Sequence, residues 1–552
     1  MLAGLLAALL APNILFVCEW RGFWPLGLVN LLLPLGIYIL LLIHVKKLWL
    51  TMLWQLATMT LCAFQIVLIF MYGPSPIGVD MFLNVATTNS SEVGELLGNL
   101  KYSLILIFVL YLPSIAFGVY LWKRSASIPH GIKAEFHRLS IILISSGLIM
   151  GGLCKVMNPR MHLWRDLFPF NAFGNFALAI QQGLSARNFD SAKVEYKFNA
   201  VSERQSDVEE TYVVMLGETT RADNWQLLGY NRATTPELVA NKSVVGYPKT
   251  LTQSNTTHKI VPMMLSHIDA NHFADSILKV KSFITAFKEA GYHTWFLSNQ
   301  ARNGAVIDAF GNEADSAVFI RDKKFSALDG ELMPLLGNAL RSAHKKKLIV
   351  LHLYGSHYCY YDRYPDWCND FGSNAASEML SKYRDKLIDN YDNTVRYTSY
   401  LINKVITALG KSHSLAALVY VGDHGEDIFD DERNRFLHAS PTPTYWQLHV
   451  PMLIWFSPTY QQEYGEYVTN AANNRNKVVA SCVSLCHTLM QVAGIKTNAL
   501  NKNASLVDSS YQEPELFFLN DYNEAIDLDE AGFTQSDFEM LNKLMHRPPI
   551  EF

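Results

Sequence analysis

Residues 212–221 read Tyr-Val-Val-Met-Leu-Gly-Glu-Thr-Thr-Arg. Five apolar residues run straight into a glycine, a carboxylate, two hydroxyls and a guanidinium. A short, continuously apolar run that ends on a turn residue is the pattern of a strand buried on both faces. The pattern recurs. His293–Leu297 is followed by Ser298-Asn299-Gln300, Leu348–Leu353 by Gly355-Ser356-His357, and Ala416–Val421 by Gly422-Asp423-His424-Gly425-Glu426. Val450–Phe456 is a further apolar run, and helical patterns such as Ser276–Ala290 lie between the runs. Strands alternating with helices predict an α/β unit with a largely parallel sheet sandwiched by helices, and in such sheets ligands bind beyond the carboxyl ends of the strands. One polar strand end is ordinary. Four of them form a constellation.

Glu218, Asp423 and His424 supply two carboxylates and an imidazole, which are good ligands for zinc. Asp423 and His424 are adjacent and would point to opposite faces of a strand. Gly422 and Gly425 on either side permit a turn that removes this constraint. Thr257, in Ser254-Asn255-Thr256-Thr257-His258, is the candidate fourth ligand and nucleophile. If Ile260–Leu265 opens a helix, Thr257 sits at its N-terminus, where negative charge is favoured. A metal ion would lower the pKa of its hydroxyl. Read on residue types alone, two plainer accounts stand beside these: Thr256 or Thr257 as an N-cap, and Asp-His-Gly as a polar turn.

Outside this region the texture differs. Half of the 552 residues are hydrophobic, only 17% are charged, and the apolar excess crowds into the first 160 positions. Five apolar stretches stand out there: Leu2–Val17, Trp24–Ile43, Leu48–Tyr72, Ser103–Trp122 and Leu139–Cys154. The middle three are charge-free and long enough to cross a bilayer as helices, and the outer two are shorter. Trp24, Trp49, Tyr72, Tyr102 and Trp122 mark span ends, where aromatic side chains anchor. His44–Lys47 and Lys123–Arg138 are basic loops, whereas Gly73–Leu100 carries Asp80, Glu92 and Glu95. The positive-inside rule then puts the basic loops in the cytoplasm and everything after about Met157 outside. The expected organisation is a five-helix transmembrane domain (1–157), an interfacial linker (158–206) rich in aromatics such as Trp164, Phe168 and Phe173, and a periplasmic catalytic domain (207–552).

A net charge of −4 gives no basic field for nucleic acid. Cys359 and Cys368 bracket a loop that a disulfide could close in an oxidising compartment, and Cys482 and Cys486 read as buried neighbours on one helix.

Together these motifs resemble the phosphoethanolamine transferases of the alkaline phosphatase superfamily. The resemblance covers most of the chain. It rests on Gly-Glu-Thr-Thr-Arg at 217–221, the threonine five residues before Pro262, Gly-Ser-His at 355–357, Asp-His-Gly-Glu at 423–426 and Leu-His at 437–438. It implies a sulfatase-like catalytic domain and a Zn2+ cofactor held by Glu218, Thr257, Asp423 and His424. It implies that Thr257 is the nucleophile and His357 a catalytic partner, with His357, His438 and Asn299 in contact with substrate. The implied donor is phosphatidylethanolamine and the implied acceptor is lipopolysaccharide, lipid A or a core sugar. The implied location is the bacterial inner membrane, multi-pass, with polymyxin resistance among the family's associations and a monomer as the default state. Two departures from the family's pattern bear on the acceptor rather than on the chemistry. Many relatives flank the nucleophile loop with cysteines where this chain has Gln253 and Met263. Lipid A enzymes tend to carry a basic residue near the place of Asn303, beside Arg302 here.

A phosphoglycerol transferase or another phosphodiesterase of the superfamily shares the architecture and the threonine. A catalytically inactive envelope protein is the competing class. A sulfatase reading lacks its Cys/Ser-x-Pro-x-Arg motif, and the spans carry almost none of the ionisable residues that a transport site needs.

Overall fold

The computed structural model describes residues 2–19, 24–44, 47–73, 75–87, 100–124, 128–159, 161–324, 326–372 and 379–545. The chain divides into two compact units. One is built mainly from 1–85 and 92–181, and the other mainly from 182–430 and 436–552. The expected linker is thus no unit of its own: its first part belongs with the helices and its last part with the α/β fold.

The first unit holds α1 (Leu2–Glu19), α2 (Trp24–His44), α3 (Thr51–Tyr72), α4 (Val79–Thr87), α5 (Lys101–Arg124) and α6 (His130–Met157), and α7 (Phe170–Asn188) follows. Among the described residues four helical stretches are long and apolar enough to cross a membrane: Trp24–His44, Gln55–Tyr72, Lys101–Arg124 and Gly131–Met157. Ala3–Val17 is a shorter apolar helix. Helices α2 and α6 approach closely because Gly147 faces Leu33, where a Cβ would lie 2.6 Å from the leucine Cγ. Without water, small residues and side-chain hydrogen bonds join such helices. Here Asn13 donates to the carbonyls of Asn30 (2.8 Å) and Phe168 (2.9 Å), and Asn30 accepts from the Phe168 amide (2.9 Å).

The basic loop expected at Lys123–Arg138 is mostly helix. Lys123 and Arg124 form the last turn of α5, and Lys133 and Arg138 lie on α6. No proline or glycine interrupts Ile132–Arg138, and alanine, glutamate, lysine and arginine favour continuation. Asp80 is in the first turn of α4, whereas Glu92 and Glu95 lie outside the described residues.

The second unit is built on a seven-stranded sheet of β1 (Glu210–Gly217), β2 (Val244–Gly246), β3 (His293–Ser298), β4 (Ser316–Phe319), β5 (Lys346–His352), β6 (Leu415–Gly422) and β7 (Met452–Phe456), in the order β2-β7-β6-β1-β5-β3-β4. From β6 to β4 every pairing is parallel. Strand β7 is antiparallel to both of its neighbours. It returns from the same end at which β6 stops, with no crossover helix between them to reverse it. Short edge strands β2 and β4 carried too little apolar length to stand out in the sequence. The helix expected over Ser276–Ala290 is broken. Only Phe273–Ser276 and Phe283–Glu289 are helical, and Ser282 between them is extended, held through its amide (2.9 Å) and hydroxyl (2.6 Å) by Glu313.

Both faces of the sheet are covered. Val419 and Ile454 join a core that includes α8 (Thr257–Leu265) and α10 (Ser481–Val492). On the other face Trp455 lies beside Gly410 at the end of α9 (Arg384–Gly410). Parallel register then aligns the site. Gly217 pairs with Gly422, Leu216 with His352, and Ser298 with His352. The strands end level with one another, so the residues that follow them emerge side by side.

Candidate active site

Glu218 follows β1 and Asp423-His424 follow β6. Each offers one ligand atom, and the three atoms lie within 4.8 Å of one another, all buried. Thr256 occupies the N-cap position of α8 without a side-chain capping bond, and Thr257 is the first residue of the helix. Thr257 Oγ1 lies 3.0 Å from His424 Nε2 and 3.2 and 3.4 Å from the two Glu218 oxygens. Four residues named from sequence, brought from three separate loops, therefore meet at one point.

The surrounding bonds fix each ligand. The Thr219 amide (2.9 Å) and the His424 amide (2.6 Å) both donate to Asp423 Oδ1. Asp423 Oδ2 is buried without a hydrogen-bond partner. His424 Nδ1 is 2.9 Å from the Gly425 carbonyl, which leaves Nε2 for the cluster. Thr219 Oγ1 donates to Glu218 Oε1 at 2.7 Å. Thr219 pays for this with a left-handed backbone, φ +52°, unusual for a β-branched residue. Tyr391 clamps it by donating to the Thr219 carbonyl (2.9 Å) while accepting from the Arg221 amide (2.8 Å). Gly355, at φ +53°, passes so close to Glu218 that a Cβ would lie 2.5 Å from its carbonyl oxygen.

Electrostatically the site is short of positive charge. Burial, then Asp423, pushes Glu218 up to about 7, and burial pushes Asp423 up to about 7. Burial also lowers His424 and, with His424 and His357 adding, lowers His438. No lysine or arginine pairs with Glu218 or Asp423 among the described ion pairs, only His424. Two buried carboxylates, an orphaned oxygen, an imidazole and a hydroxyl suit a divalent cation.

The two further histidines lie alongside. The His438 ring centre is 4.1 Å from that of His424 and 6.4 Å from that of His357. His357 Nδ1 is 2.8 Å from the Tyr358 carbonyl. Asn299 does not join them. It is fully buried, and its amide donates to the Ala327 carbonyl (3.1 Å) and to Asp329 (2.8 Å). Asp329 in turn accepts from the Tyr354 and Gly355 amides (2.8 and 2.9 Å), so Asn299 supports the turn behind Glu218. The residue that reaches the cluster is Gln300, whose amide donates to Glu218 Oε2 at 3.0 Å. Its own amide bonds Ser298 Oγ (3.0 Å), a turn that ends strand alternation and swings residue 300 inward. Cys368 keeps a free thiol, as do the buried Cys482 and Cys486, so no disulfide joins Cys368 to Cys359.

The family model described as Sulfatase matches residues 210–495, more than half of the chain. The chain belongs to the sulfatase family. Among sulfatase-family relatives, phosphoethanolamine transferase EptC of Escherichia coli K12 is 24% identical over 520 residues, covering 87% of this chain and 85% of that one. The Kdo(2)-lipid A phosphoethanolamine 7''-transferase of Salmonella typhimurium is 29% identical over 305 residues, covering 52% of each. The crystal structure of the C-terminal periplasmic domain of Escherichia coli EptC in complex with Zn superposes with a TM-score of 0.55 at 25% identity, over 61% of this chain and 97% of that one. The integral membrane protein EptA of Neisseria meningitidis, a lipooligosaccharide phosphoethanolamine transferase, superposes with a TM-score of 0.75 at 20% identity, over 93% and 99%. That likeness shows the fold, an N-terminal helical region followed by a sulfatase-like α/β unit.

Proposed function

We propose that this protein is a membrane-anchored phosphoethanolamine transferase. It moves the headgroup of phosphatidylethanolamine onto a lipopolysaccharide acceptor, lipid A or a core sugar, through a covalent intermediate on Thr257. The observation that carries this reading is Thr257 Oγ1 at 3.0–3.4 Å from His424 and Glu218 at the start of a helix. The relatives that span most of the chain supply the substrate class.

Glu218, Thr257, Asp423 and His424 would hold Zn2+, and the orphaned Asp423 oxygen supports the fit. When bound, zinc supplies positive charge that lowers the pKa of a neighbouring hydroxyl and offsets charge on phosphate. The chain does the rest. Thr257 Oγ attacks the phosphorus as its proton passes to His357 or His438, the phosphorus–oxygen bond to diacylglycerol breaks, and that histidine delivers the proton to the leaving oxygen. The phosphoryl oxygens face the positive end of α8. An acceptor hydroxyl then attacks the phosphorus as its proton passes to the same histidine, the bond between phosphorus and Thr257 Oγ breaks, and the histidine returns the proton so that Thr257 leaves as the hydroxyl. Five spans, with Ala3–Val17 as the shortest, would fix the chain in the inner membrane as a monomer with its α/β unit in the periplasm.

The test is reconstitution into vesicles with headgroup-labelled lipids and lipopolysaccharide. The expected result is release of diacylglycerol and transfer of label from phosphatidylethanolamine. Loss of glycerol phosphate from phosphatidylglycerol instead would make the protein a phosphoglycerol transferase. No headgroup loss from either lipid, with metal bound, would overturn the proposal.

A further inference from the structure

Glu426 closes the Asp-His-Gly-Glu motif, yet it takes no part in the cluster of Glu218, Asp423, His424 and Thr257. It is fully buried. Its Oε1 accepts from the Tyr360 hydroxyl, and the Tyr360 ring is itself wedged edge-on against Tyr391 and Tyr358. Its Oε2 is buried without a hydrogen-bond partner. So is His438 Nδ1, and the two atoms lie 3.7 Å apart.

Two facing orphans of complementary chemistry are costly unless they serve each other. The backbone is bent to bring them together: Leu437 and Ala439, on either side of His438, both have φ +68°, outside the ordinary range for L-residues. We propose that Glu426, braced by Tyr360, is the positioning residue of His438. Its Oε2 faces Nδ1 at 3.7 Å as an acceptor for the Nδ1–H, the arrangement that leaves Nε2 as the free ring nitrogen. A carboxylate behind a working imidazole fixes its tautomer and its orientation. The His438 ring packs at a tilt against His424, which touches Thr257, so the orientation set by Glu426 is felt beside the nucleophile. This inference rests on the proposed transfer reaction for its consequence, but not for the contact itself.

The test is a double-mutant cycle on the full-length protein with Glu426→Gln and His438→Gln, read in transfer kinetics, bound metal and thermal stability. Glutamine keeps the shape and the Tyr360 bond but presents an N–H to Nδ1, which forces the wrong tautomer. The expected result is a kcat about 10–100-fold lower for Glu426→Gln, with KM for the lipid donor and metal content unchanged. In the His438→Gln background the same change costs nothing further, and the stability effects of the two substitutions are non-additive. Full, undiminished loss from Glu426→Gln in that background would overturn the proposal. So would unchanged kcat, additive stability effects, or loss of a metal equivalent, which would make Glu426 a ligand. Non-additive stability in a protein that transfers no headgroup would keep the Glu426–His438 contact and refute the proposed function instead.

Discussion

The two ends of the central sheet treat buried charge in opposite ways. At the amino ends of the strands, Glu210 is fully buried and paired with Arg204 at 2.7 Å and Lys346 at 3.0 Å, and Tyr212 and Tyr292 donate to it as well. At the carboxyl ends, Glu218 and Asp423 are as deeply buried, and among the described ion pairs their partner is the His424 imidazole, whose pKa burial lowers. The first arrangement has its charge compensated by Arg204 and Lys346. The second has no lysine or arginine among the described ion pairs, a deficit that a bound cation would offset. A buried carboxylate is therefore a structural brace or a reactive site according to what compensates it.

Substitutions should separate the two ends. The largest effect belongs to Thr257→Ala, which should lower transfer about 10^4-fold or more while leaving thermal stability close to wild type and weakening, without abolishing, metal binding by the three remaining ligands. Steady-state assays beside metal analysis check this. Glu210→Gln should act the other way. Stranding Arg204 and Lys346 costs about 3–5 kcal/mol of stability, visible in denaturant unfolding, with activity per folded molecule unchanged. If Glu210→Gln instead removed activity and left stability alone, the contrast between the two ends would fail.

A smaller effect concerns pH. Unfolded carboxylates lose their protons near pH 4, whereas the metal-free fold holds those of Glu218 and Asp423 up to about 7. Their stabilising contribution is complete below pH about 4 and lost as the pH rises through about 7. His424 and His438 act in the opposite sense below their ordinary value, so the window to examine is pH 6.5 to 8. There the Tm of chelator-treated protein should fall with rising pH, and saturating zinc should abolish the fall. The smallest effect is that of Gln300→Ala. Freeing one Glu218 oxygen should weaken metal affinity by about tenfold, measured by competition with a chromogenic chelator, with the fold intact.

The same contrast explains what the sequence could tell. The runs before Gly217, Ser298, Gly355 and Gly422 were legible as strands because burial on both faces writes continuous apolar stretches. Parallel register then carried Glu218, Asp423 and His424 together with no further information. Thr257 was legible as a candidate ligand and nucleophile opening a helix, with a plain cap as the other account; the N-cap position falls to Thr256, and Thr257 Oγ1 lies 3.0–3.4 Å from His424 and Glu218. Asn299 and Gln300 could not be told apart, because one hydroxyl, Ser298 Oγ, decides which of them turns inward. Asp329 was invisible: it lies far along the chain from the Gly355 turn it holds. Glu426 stood in plain view inside a motif, but its role depends on His438, twelve positions later and on another loop. The break at Ser282 and the extension of α6 through Arg138 show the remaining limit. Each was decided by a local partner, or by the lack of a breaker, rather than by periodicity.

Peptide mass spectrometry of the full-length protein, quenched after brief turnover of phosphatidylethanolamine with and without chelator, tests the central claim most directly. The account predicts a phosphoethanolamine-sized increment on the peptide containing Thr257, absent when metal is removed. An increment on another residue, one that survives chelation, or sustained transfer with Thr257 unmodified would contradict it.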